Sequence, residues 1–194
     1  MPVSLEELES LYRALPARPI SAARVNALCV RPGPDLREER TGIEFHPARG
    51  AVGDRWEHKT WRYLPDGRPD PAVQVAVCNS LVLALIQTVT GVRHHPGDTV
   101  FTDLDLSVEN LPAGTRLQVG PALLEVSEIE NDACAKFAKH YGASVLQWIR
   151  LPENRPRRLR GLFARVISGG WVRVGDPILK RATVGSEPAA ATGR

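Results

Sequence analysis

Apolar positions along the chain change their period several times. In "SLEELESLYRAL", Leu5, Leu8, Leu11, Tyr12 and Leu15 recur at helical spacing, and Ser4 with Glu7 has the spacing of a capping box. This predicts an amphipathic helix, ended by Pro16 and Pro19 and packed on the main domain as an appendage. Strand patterns follow. "ARVNALCV" (Ala23 to Val30) reads as a first strand stopped by "RPGPD", and "AVQVAVC" (Ala72 to Cys78) sets Val73, Val75 and Val77 on one face. "NSLVLALIQTV" then predicts a short buried helix capped by Asn79 or Ser80. "TRLQVG" with "ALLEVSEI" predicts a hairpin turning at Gly120-Pro121. "RRLRGLFARVIS" with "WVRVGDPILKR" predicts another, turning at Gly169-Gly170. The expected strand core is Val73, Val75, Val77, Leu117, Val119, Leu124, Val126 and Val174.

Short strands between turn signals, with sixteen Gly and sixteen Pro, favour β structure over a helical bundle. The expected fold is mostly β: a closed or nearly closed barrel with a few short helices and an N-terminal helix. The expected organisation is a helical appendage over 1–21, a barrel domain over 22–182 and a disordered tail over 183–194. Arg55 to Pro71 has no clean period and reads as a long connection of the kind that carries function.

Composition narrows the function classes. The 194 residues carry a net charge of +3 and a pI near 9.0. That permits a phosphate-bearing ligand without demanding nucleic acid, and no RNA-recognition or zinc-finger signature is present. Three cysteines argue against a disulfide framework. The start "MPVSLEELES" lacks the basic and apolar regions of a signal peptide, and the most apolar stretch, Leu81 to Ile86, is too short to span a bilayer. A cytoplasmic location with no membrane partner is therefore expected.

Cys134 is the first candidate for chemistry. Cys29 and Cys78 sit in apolar strand patterns, whereas Cys134 follows Glu130, Asn131 and Asp132 and opens the helical stretch "ACAKFAKHYG". A thiol is a nucleophile or metal ligand only as thiolate, and free N–H groups at a helix start favour the anion. Asn131 or Asp132 as N-cap would set Cys134 in the first turn, with Lys136 supporting the thiolate and Glu130 and Asp132 opposing it. A small side chain packed under a loop fits the same pattern equally well. Arg155, Arg157, Arg158 and Arg160 form a basic segment suited to phosphate, or to a solvated loop. Arg160 shares a predicted strand face with Leu162, Ala164 and Val166, so it is expected to point to a pocket or barrel rim and to need an anionic partner. That partner is either a ligand or one of Asp54, Asp98 and Glu130. His46, His58, His94, His95 and His140 are scattered without zinc spacing. No Gly-rich phosphate loop and no nucleophile elbow occur.

Taken in order, "ARGAVGDRW", "VQVAVCNSLVLALI", "DLDLSVENLPAGTRLQVGPALLEVSEI", "CAKFAKHYG" and "LRGLFARVISGGWVRVGDPI" resemble the MOSC domain, the module named after the C-terminal domain of molybdenum cofactor sulfurase. The resemblance covers about residues 22 to 182. It implies a barrel-like β fold with a cleft cysteine, which maps onto Cys134, and a molybdenum cofactor (molybdopterin) whose metal or sulfur that thiol handles. Cofactor contacts are then expected from Arg160, Lys136, Arg158 and Arg55. In many stand-alone members a His or Pro closely precedes the cysteine, whereas here the run is "ENDAC". Pyridoxal phosphate is not expected, since no Schiff-base lysine motif is present. The implied partners are an anionic pterin-type ligand and either a sulfur donor or an electron-transfer protein. The competing classes are a sulfur carrier or transferase, a non-catalytic barrel that binds a protein or small anion, and an N-hydroxy-compound reductase fed by external electron donors.

Overall fold

A computed structural model describes residues 3–93 and 95–181, so His94 and the expected disordered tail lie outside the described residues. In chain order the elements are α1 (Leu5–Arg13), β1 (Ala22–Arg24), β2 (Ala27–Val30), β3 (Glu38–Arg40), β4 (Gly42–His46), β5 (Gly50–Ala51), β6 (Val75–Asn79), α2 (Ser80–Thr90), β7 (Val100–Thr102), β8 (Arg116–Val119), β9 (Ala122–Glu130), α3 (Ala135–Tyr141), α4 (Ala143–Arg150), β10 (Leu162–Ser168), β11 (Gly170–Arg173) and β12 (Pro177–Arg181). Nine strands form one mixed sheet in the order β1-β12-β8-β9-β10-β6-β7-β2-β3, and β11-β4-β5 form a second. The β6–β7 pair is parallel and the other pairs are antiparallel.

The fold is mostly β, but the pairings among the described residues do not close a barrel. The large sheet ends on β1 and on β3, and β3 is an exposed, charged strand (Glu38, Glu39, Arg40) of the sort that blunts an edge. Four further expectations are corrected. Ala23 to Val30 is two strands, because the chain changes partner at Val25 and Asn26: β1 pairs with β12, then β2 pairs with β7 and β3. The predicted Gly169-Gly170 hairpin does not form, since β10 lies between β9 and β6 while β11 crosses to β4 in the second sheet. Val174 stands in the turn between β11 and β12 and is exposed, as Gly175 adopts φ +91° and Asp176 accepts from the Arg173 N–H. Val73 is buried, as expected, but on a single 3-10 turn (Pro71–Val73) rather than a strand.

Two apolar cores explain the layers. The inner faces of both sheets meet through Val75, Val77, Leu117, Val119, Leu124 and Val126 against Ile43, Phe45 and Val172. The helices build the other core: Leu8 and Tyr12 of α1 pack with Val82 and Ile86 of α2, Phe137 and Tyr141 of α3, and Trp148 of α4. Helix α1 starts as its sequence directs, with the Ser4 hydroxyl accepting from the Glu7 N–H. Asn79 likewise caps α2, accepting from the Leu81 and Val82 N–H groups. No helix among the described residues is long and apolar enough to cross a membrane.

Candidate active-site cleft

A cavity of about 360 Å³ opens where β6, β9 and β10 meet α3. Strand alternation builds its floor. Leu162 and Ala164 point into the sheet core, so Phe163 points the other way, opposite Ala76 on β6. Both line the cavity, together with Trp61 from the long connection, whose ring centroid lies 6.1 Å from that of Phe163. The connection that lacks a period in the sequence thus brings Arg55 and Trp61 to the site.

Cys134 lines this cavity and is exposed. It is the N-cap of α3 rather than a first-turn residue: its φ of −133° is extended, and its carbonyl accepts from the Phe137 and Ala138 N–H groups. The preceding loop sets this. Ala133 takes a left-handed φ of +64°, unusual for a residue with a side chain, and Arg150 of α4 donates to the carbonyls of Asp132 and Ala133. The loop is thus clamped from the helical core. The other two thiols are sequestered. Burial pushes Cys29 up to about 11 and Cys78 higher still. Limited iodoacetamide labelling at neutral pH is therefore expected to modify Cys134 first, and peptide mapping that finds Cys29 or Cys78 ahead of it would refute this placement.

Arg160 does not lie on β10 but in the turn before it. Gly161 makes that turn, at φ +95°, where an added Cβ would sit 2.1 Å from the Val77 carbonyl oxygen. The Arg160 guanidinium lines the cavity and donates through Nη1 to both oxygens of fully buried Asp98, at 2.6 and 2.7 Å. Burial opposes its charge, but Asp98 more than offsets this and holds the guanidinium pKa up. Its Nε is buried without a hydrogen-bond partner. Lys136 lines the cavity and pairs with Asp35 at 2.9 Å, both side chains being exposed. Arg55 lines it too. Arg158 does not: it borders a neighbouring cavity of about 250 Å³, and its Nη1 donates to the Leu111 and Leu106 carbonyls.

Sequence reasoning named Asp98 only as a partner for Arg160 and passed over Arg31, Arg37 and Tyr141, which also line the cavity. Arg31 forms a bidentate pair with buried Asp54. Arg37 sits in a turn-rich, charged run whose pattern reads as solvent-facing. The one available signal was Gly97. Its φ is +89°, and a Cβ there would lie 2.6 Å from the Arg37 Nε, so the guanidinium packs on bare backbone.

Residues 99–179 match the family model of the MOSC domain. That segment runs from β7 into β12 and contains Cys134, Lys136, Asp98's pair partner Arg160 and Arg158. No curated protein matches the chain. Among solved structures, YuaD from Bacillus subtilis superposes with a TM-score of 0.55 at 20% identity over 81% of this chain and 94% of that one. YiiM from Geobacillus stearothermophilus gives 0.58 at 15%, covering 82% and 75%. YiiM from Escherichia coli gives 0.55 at 17%, covering 84% and 72%. These likenesses establish the shared fold. With the family match they uphold the resemblance read in the sequence: residues 99–179, less than half of the chain, are similar to the MOSC domain.

Proposed function

We propose that the cleft binds a molybdenum–pterin cofactor, or a closely related anionic metal ligand, and that Cys134 handles its metal or sulfur. The observation that carries this reading is one cavity with an exposed thiol on its rim and guanidinium nitrogens, Arg37 Nε and Arg160 Nε, buried in it without hydrogen-bond partners. A soft thiolate suits a soft metal–sulfur centre. The orphaned donors suit an anionic ligand, and the Trp61, Phe163 and Tyr141 rings suit a flat one. The residues present therefore fit the group. Bound there, it would supply redox or sulfur-transfer chemistry that amino-acid side chains lack. The chain's own part is to orient the ligand between Cys134 and the arginines and to shield it against the Phe163 and Trp61 wall. Electrons or sulfur would come from a protein partner.

Molybdenum and pterin analysis of the full chain, purified from a cofactor-producing host, tests this. Both are expected in comparable amounts in the wild type, and Cys134→Ser is expected to lose most of the molybdenum. Wild-type protein free of both, or a Cys134→Ser protein with undiminished molybdenum, would refute the reading.

A further inference from the structure

The cleft holds more positive charge than its own carboxylates neutralise. Arg31 is matched by Asp54, and Arg160 by Asp98. Glu130 and Asp132 also line the cavity and are paired with arginines outside its lining, Glu130 with Arg155 at 3.8 Å and Asp132 with Arg150 at 3.4 Å. The remaining lining cations are Arg37, Arg55 and Lys136, and one lining carboxylate, Asp35, is left among them. Asp35 bonds Lys136 at 2.9 Å and feels Arg37 and Arg55 electrostatically, and these contacts lower its pKa, the Lys136 hydrogen bond most. Arg37 and Arg55 also bear on each other. Among the described residues nothing completes Arg37: Nη1 donates to its neighbour's carbonyl at Leu36, and Nε is buried without a partner. Burial, then repulsion from Arg31, pushes its pKa down, yet a guanidinium stays charged in water-accessible protein. A half-buried charge held against like charges calls for an anion.

Asp35 is the group nearest to being that anion, but it is a poor permanent partner. Its side chain is 73% exposed, it reaches Lys136 rather than Arg37, and it sits at φ +57°, a region that residues with side chains seldom adopt. Three cations against one carboxylate leave an excess of two charges. We propose that Arg37, Arg55 and Lys136 form a subsite for a phosphoryl dianion, and that Asp35 is a resident carboxylate displaced when the dianion binds.

The proposal rests on the reading of this cleft as an anion site, but it needs neither molybdenum nor Cys134. It moves the anion-holding role from Arg158, which faces another cavity, and from Arg160, which Asp98 already neutralises, to Arg37 and Arg55. The phosphoryl group can be free phosphate or the monoester end of a larger ligand. The aromatic pair Trp61 and Phe163 along the same cavity favours the monoester.

The test is titration of the metal-free full chain with inorganic phosphate and with phenyl phosphate, followed by calorimetry or phosphorus NMR. Arg37→Gln and Arg55→Gln are each expected to weaken both probes about tenfold, the scale of a lost charge-assisted contact. Arg37→Lys, which keeps the charge but not the planar fork, should recover part of that loss. Asp35→Asn should tighten both probes severalfold. Arg13→Gln, an equal charge change on an exposed side chain whose partner Glu9 also lies outside the cavity, should change nothing. Cys134→Ser should bind phosphate like the wild type, so failure of metal loading and failure of this subsite are read separately. Tighter binding of phenyl phosphate than of phosphate supports the monoester, and equal binding supports the free ion. Absence of phosphate binding, a loss in Arg13→Gln equal to that in Arg37→Gln, or weaker binding in Asp35→Asn would overturn the proposal.

Discussion

Asp98→Ala is expected to destabilise the protein by about 3–5 kcal/mol, measured as a lower urea midpoint with an unchanged slope. The reason is the partner left behind. Asp98 is fully buried and takes two hydrogen bonds from the Arg160 Nη1, while the Arg160 Nε already lacks a partner. Removing the carboxylate strands a largely buried guanidinium whose carbon lies 5.3 Å from the Phe137 ring centroid. The argument concerns the pair, so it makes a second statement. An Asp98→Ala, Arg160→Met double variant should recover most of the loss, because the remaining buried surface is then apolar. A double variant as unstable as the sum of the two single ones would show that the two residues act independently.

Trp148→Ala carries the second large effect, also about 3–5 kcal/mol, from the cavity it would leave. The side chain is fully buried, meets the Tyr12 ring edge-on at 5.8 Å, and donates Nε1 to Glu9, so it joins α4 to α1. Its loss reaches the cleft through one element. Arg150, two residues along α4, clamps the Asp132 and Ala133 carbonyls that present Cys134. Denaturation of Trp148→Ala near the wild-type midpoint would contradict the account of the helical core.

These two residues also mark where sequence reading succeeds and fails. Helix α1 was legible because capping and a 3.6-residue period agree locally, at Ser4 and along Leu5, Leu8 and Tyr12. The β8–β9 hairpin was legible because Gly120-Pro121 is a local turn signal. Strand partners are not local. Nothing in "LFARVISGGWVRV" distinguishes a hairpin from a chain that leaves one sheet at Ser168 and joins another at Gly170. The closed or nearly closed barrel was not found for the same reason: closure depends on whether the edge strands β1 and β3 pair with each other, and no local signal in either strand decides that. The site divides similarly. Cys134 stood out by its neighbours, and the arginine-rich segment drew attention by charge. The latter pointed to the site only in part, since Arg160 lines the cavity but Arg158 is turned to backbone carbonyls, while Arg37, set by packing on Gly97, looked like an ordinary surface residue. Asp98 was visible as one of three carboxylates, and only the turn made by Gly161 selected it.

The central claim is that one ligand occupies the cavity shared by Cys134 and the arginines. Its most direct test is the rate at which iodoacetamide labels Cys134 in protein loaded with the cofactor, compared with the same preparation after the cofactor is stripped. The account predicts strong protection in the loaded protein, its loss on stripping, and weaker protection in Arg37→Gln, where the ligand is held less well. Equal labelling of Cys134 in loaded and stripped protein would contradict it, because the cofactor would then be bound elsewhere.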